Sequence, residues 1–144
     1  MDLSISQMMQ LQRELFEPHK DKWHPMEPEY GKDFILYMVE EIGEVIAILK
    51  KKGSAAVMED PAVREAFLSE MADVLMYYHD TLLHYHVTAE EISQAFTRKH
   101  NYDMTRNYTK EYKSNGTSLL ESLRGRPMRH PPLLRGRSDI PANS

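Results

Sequence analysis

Between Phe34 and Leu49 the chain is apolar almost without interruption, yet Glu40, Glu41 and Glu44 stand inside the run. A continuous apolar stretch of this length is too long for an ordinary strand and reads as a helix. It is shorter than the roughly 18 uncharged residues needed to span a bilayer. The segment is therefore expected to pack within a protein, and its carboxylates must find compensation there. With about 3.6 residues per turn, Glu41 shares a face with Phe34, Tyr37, Met38, Val45 and Ile48. Glu44 lies one turn further along, between Tyr37 and Ile48.

Three further helical patterns surround this one, and no stretch shows the period of a strand, so the expected fold class is all-α with a four-helix-bundle-like core. The first pattern runs from about Ser6 to Phe16, with Met8, Met9, Leu11, Leu15 and Phe16 as its apolar stripe. A loop from Glu17 to Glu29 follows, containing Pro18, Pro25, Pro28, His19, His24 and the only tryptophan, Trp23. The central helix is expected from about Gly31 to Lys52. There Lys50, Lys51 and Lys52 complement the negative helix end, and Gly53 suits a left-handed cap. Asp60 and Pro61 open a third helix that continues to about Tyr85. Thr88 and Glu91 form a capping box for a fourth, which reaches Lys99 and extends toward Tyr112. Residues 1–114 are thus read as one all-α domain. Residues 115–144, with five arginines, four prolines and no lysine from Thr117 onward, are read as a mobile tail.

Composition narrows the chemistry. With no cysteine, the chain has neither disulfides, nor thiolate metal sites, nor a cysteine nucleophile. A net charge of −4 provides no basic field for a nucleic-acid polymer, so none is expected as a partner. The amino-terminal residues show no basic segment followed by an apolar run, and no stretch is long enough for a membrane span. A cytoplasmic protein is expected, with no membrane partner.

The third helix repeats the pattern of the second. Glu70 and Asp73, three residues apart, share a face with Ala66, Phe67, Val74 and Tyr77. A carboxylate on a buried apolar face carries a heavy desolvation cost unless it is paired. Two such pairs on adjacent helices can meet as a four-carboxylate cage of Glu41, Glu44, Glu70 and Asp73. Lysine and arginine are scarce on both stretches, so divalent cations are the natural compensation. An all-oxygen cage favours Mg²⁺, Mn²⁺ or Ca²⁺ over zinc or copper. Gly43, between the glutamates, is expected to let the two backbones approach closely.

The segments Glu40-Glu41-Ile42-Gly43-Glu44-Val45 and Glu70-Met71-Ala72-Asp73-Val74-Leu75 resemble the paired E-E-x-x-E and E-x-x-D motifs of the MazG-like, all-α NTP pyrophosphohydrolase superfamily. The resemblance covers roughly Ile5 to Arg106. It implies Mg²⁺-dependent hydrolysis of a nucleoside triphosphate between the α and β phosphates, giving monophosphate and pyrophosphate in nucleotide-pool house-cleaning. It also implies a homodimer or homotetramer. Carried over by position, Glu41, Glu44, Glu70 and Asp73 are the metal ligands and Glu40 the catalytic group that orients or deprotonates the attacking water; a solvated supporting role is the alternative for Glu40. Lys99 and Arg106 match basic residues that contact the triphosphate, with a solvated helix end as the alternative. Trp23 matches an aromatic platform for the base, or else anchors the core. Tyr77, one turn beyond Asp73, points toward the same cleft as a phosphate or sugar donor, or packs in the core with a wet hydroxyl.

Within the superfamily, a dUTP-preferring or phosphoribosyl-ATP-type hydrolase would use the same metal centre. A di-iron bundle would require Glu-x-x-His pairs, and the chain has none. His79-Asp80 is similar to the dyad of HD-type phosphohydrolases but lacks a convincing set of further ligands. A non-catalytic helical module that turns its carboxylates toward a basic partner is the remaining reading.

Overall fold

Local signals in the sequence mark most of the helix starts. A computed structural model describes residues 1–106 of the chain. Helix α1, Ile5–Phe16, begins at a capping box in which Ser4 Oγ accepts from Gln7 N and Gln7 Oε1 accepts from Ser4 N. One 3₁₀ turn, Glu17–His19, carries the chain past Pro18. Helix α2, Pro28–Lys52, begins a turn earlier than Gly31, because Pro28 takes the first helical position, where no amide hydrogen is needed. A six-residue helix α3, Ser54–Glu59, follows at once. Gly53 makes the junction with φ of 83° and ψ of 158°, so glycine is required as expected, although the chain turns into α3 and not into a left-handed cap. Helix α4, Pro61–His84, is capped by Asp60, whose carboxylate accepts from the amides of Ala62 and Val63. Helix α5, Ala89–Thr105, starts at the Thr88–Glu91 box. The predicted extension to Tyr112 and the tail read over residues 115–144 lie outside the described residues.

All described secondary structure is helical. The chain divides into a compact unit of residues 1–101 and a second unit, residues 102–144. Within the first, α2 packs along α4 in antiparallel fashion: Phe34 meets Tyr77 and His84, while further along Glu41 meets Glu70. Helix α1 lies against α4, where His79 Nε2 sits 3.2 Å from Met8 Sδ and Gln12 reaches Asp80. Gly31 is buried where α2 passes the ring of Tyr85; a Cβ there would come within 2.5 Å of Tyr85 Cε2.

The core is small. Met9, Val45, Val57, Val63 and Leu83 are its buried apolar side chains, joined by Gln12, His79 and His84. The helices among the described residues number five where four were expected, and residues 89–101 of α5 take no close part in this packing, so α1, α2 and α4 with the short α3 build the core of this unit. The reason is visible in α5 itself, whose apolar positions are sparse and whose Phe96 is 74% exposed. Two apolar stripes also remain exposed: Ile35, Val39, Ile42 and Ile46 on α2, and Leu68, Met71 and Leu75 on α4. No described helix is long and apolar enough to cross a membrane.

Candidate metal centre

Because α2 and α4 run antiparallel, the carboxylate faces of the two helices meet at mid-length. Glu41, Glu70 and Asp73 each offer an oxygen to a group whose atoms all lie within 4.8 Å of one another. Loss of hydration pushes the Glu41 carboxyl above its usual range of about 4.5, and the neighbouring Asp73 and Glu70 charges push it further the same way. Among the described residues, no lysine, arginine or histidine forms an ion pair with these three carboxylates. The donor set is all oxygen, converging from two rigid helices. It suits a hard dication, and nothing in it distinguishes Mg²⁺ from Mn²⁺ or Ca²⁺.

The remaining predicted acidic residues sit differently. Glu44 is exposed on α2 and outside the converging group, although its charge reaches Glu41 and adds to the rise there. Glu40 is exposed at the position before Glu41. Gly43 does not serve a close helix approach, since a Cβ placed on it would meet nothing within 4 Å. The antiparallel crossing turns Glu41 toward α4 and leaves Gly43 facing open space.

An aromatic pocket of about 420 Å³ adjoins the acidic group. Tyr77 connects the two. It lines the pocket, and burial raises its hydroxyl above the usual value of 10, with the charges of Glu41, Asp73 and Asp80 adding to the effect. Tyr37 and Phe34 pack against it, with ring centroids 5.6 and 6.1 Å away. Trp23 closes another wall; it stacks on His19 at 4.5 Å and keeps 46% of its surface exposed, so it is no core anchor. Gln12, Lys22 and Asp33 are polar side chains of the pocket that periodicity did not single out, whereas Asp80 continues the face of α4 that carries Tyr77.

Lys99 is exposed on α5 and does not line this pocket. Arg106 follows the end of α5, 3.5 Å from Asp103 and with its guanidinium 5.6 Å from the Tyr102 ring centre. His79 and Asp80 do not converge as a dyad: His79 turns to Met8 and Asp80 to Gln12. Comparison with protein-family models, with curated proteins and with solved structures finds no match for this chain.

Proposed function

We propose that this protein is a divalent-cation-dependent nucleoside triphosphate pyrophosphohydrolase, with Mg²⁺ as its first candidate ion. The observation that carries the reading is the convergence of Glu41, Glu70 and Asp73 within 4.8 Å, with no cationic side chain paired to them among the described residues, beside an aromatic pocket of about 420 Å³. Carboxylates held together in this way repel one another unless a cation joins them. An aromatic pocket next to a cation is a place for a planar ring attached to phosphates.

Cleavage between the α and β phosphates follows from the resemblance of the two acidic motifs. Water attacks the α-phosphorus, its P–O bond to the bridging oxygen breaks, and pyrophosphate leaves with the electron pair. The proton lost by the water passes to a carboxylate, which the resemblance assigns to Glu40. A dication bound at the acidic group supplies charge neutralisation on the phosphate oxygens. Tyr77 donates its hydroxyl to a phosphate or sugar oxygen, and Trp23 stacks on the base. Lys22 at the pocket wall supplies positive charge for the triphosphate, joined on the resemblance by Lys99 and Arg106. The reading includes self-association as a dimer or tetramer, supported by the exposed apolar stripes on α2 and α4 and by Phe96.

The test is a panel of ribo- and deoxynucleoside triphosphates incubated with and without Mg²⁺, with products resolved. Monophosphate and pyrophosphate should appear only with the cation. Glu70→Gln and Asp73→Asn should each lower turnover by at least the roughly 10- to 100-fold seen when groups supporting a metal ligand are lost. Diphosphate and orthophosphate as products, or full activity in either variant, would overturn the proposal.

A further inference from the structure

The aromatic pocket shares Gln12, Trp23, Phe34 and Asp80 with a cavity of about 20 Å³ that is also lined by His84. Gln12, Asp80 and His84 are the polar side chains among its lining residues. Gln12 is 6% exposed, and its Nε2 lies 3.0 Å from Asp80 Oδ1 and 3.5 Å from the Met76 carbonyl. Both neighbours only accept, so the amide NH₂ group is committed to them and Oε1 is what Gln12 has left to offer. Asp80 retains its second carboxylate oxygen. His84 is 1% exposed and its Nδ1 lies 2.7 Å from the Asp80 carbonyl, which only accepts, so Nδ1 is the ring nitrogen that donates. His84 Nε2 is then left as the ring's acceptor, and among the described residues it is buried without a hydrogen-bond partner. An unpartnered buried acceptor calls for a donor.

A cavity of about 20 Å³ holds one water-sized group and no ring. The ring itself would lie in the larger pocket against Trp23, Phe34 and Tyr37. Asp73, Tyr77, Asp80 and His84 form one stripe of α4, and seven residues of helix separate Asp73 from Asp80 by about 10.5 Å. That is comparable to the reach of a nucleoside from its 5′ oxygen to the far edge of its base. We propose that Gln12, Asp80 and His84 read an exocyclic amine, so that this site takes cytosine, guanine or adenine nucleotides in preference to uracil, thymine or hypoxanthine ones. The proposal rests on the nucleotide reading above and names its substrate class. Uracil would bring a carbonyl where cytosine brings an amine, setting acceptor against acceptors. Asp33 on the wall of the larger pocket adds another acceptor, whereas Lys22 and His24 on that wall are exposed to solvent.

Two matched pairs isolate the amine: dCMP against dUMP, and GMP against IMP. Each is titrated into the full chain while the fluorescence of Trp23, the only tryptophan and itself a wall of the pocket, is followed. The amine-bearing member should bind about tenfold or more tightly in both pairs, the penalty expected for a buried unmatched polar group. Asp80→Asn keeps an oxygen for Gln12 and turns an NH₂ toward the cavity, so it should reverse the dCMP preference. If that variant does not fold, the wild-type pairs decide alone. Equal binding within the pairs, tighter dUMP, or no binding of any nucleotide overturns the proposal. Pyrophosphate release is scored separately: release without base preference sustains the hydrolase and removes the amine reading, whereas amine preference without release does the opposite.

Discussion

Replacing Glu41 by glutamine removes one charge from the acidic group while keeping the shape of the side chain. Two unit charges 4.8 Å apart repel by about 1 kcal/mol in bulk water and about 3.5 kcal/mol at an effective dielectric of 20. Glu41 faces two such neighbours, Glu70 and Asp73. The group is partly open to solvent, so screening favours the lower figure. A net gain of about 1 kcal/mol is expected for the metal-free variant, an upward shift of a few degrees in Tm. The assay is thermal unfolding in chelator, followed by titration with MgCl₂. Wild type should start lower and climb, by about 2.7 kcal/mol once Mg²⁺ stands a hundredfold above its Kd. Glu41→Gln should start higher and respond weakly, so the two curves cross. A variant that is less stable than wild type in chelator would mean that Glu41 has a compensating partner and is not strained. An identical response to Mg²⁺ in both proteins would remove Glu41 from the metal site.

Gly43→Ala should raise stability by about 0.5–1 kcal/mol in a denaturant titration, because the added methyl meets nothing and the helix interior loses its most flexible residue. His79, 3% exposed, has its imidazole held below the ordinary value of 6.5 by burial. The unfolded chain therefore binds that proton more tightly, and the stabilisation is complete above about pH 6.5 and lost as pH falls through the folded value. His79→Leu should flatten this acid-side decline in thermal unfolding measured across the range. Asp60→Ala should cost about 1 kcal/mol by leaving the amides of Ala62 and Val63 without their cap, measured by chemical unfolding. Ile42→Glu places a charge in the exposed stripe of α2 and should shift sedimentation toward the monomer if that stripe joins copies of the chain.

What the sequence determined by itself was local. The Thr88–Glu91 box and the Asp60-Pro61 start act within a few residues of themselves, so they can be read without knowing what packs where. The acidic pattern was legible for the same reason, since spacing along a helix sets which side chains share a face. Helix α3 was not, because six residues after Gly53 carry too little periodicity to show. Tertiary structure decided the rest. The antiparallel crossing of α2 and α4 chose Glu41 over Glu44 for the converging group and left Gly43 in open space. Gln12 and Asp80 stand 68 residues apart and meet only because α1 lies across α4. Trp23, from the loop after α1, closes the same pocket. A pocket assembled from α1, a loop, α2 and α4 leaves no periodic trace in any one of them, because its contacts are made through space and helical periodicity records only neighbours along the chain.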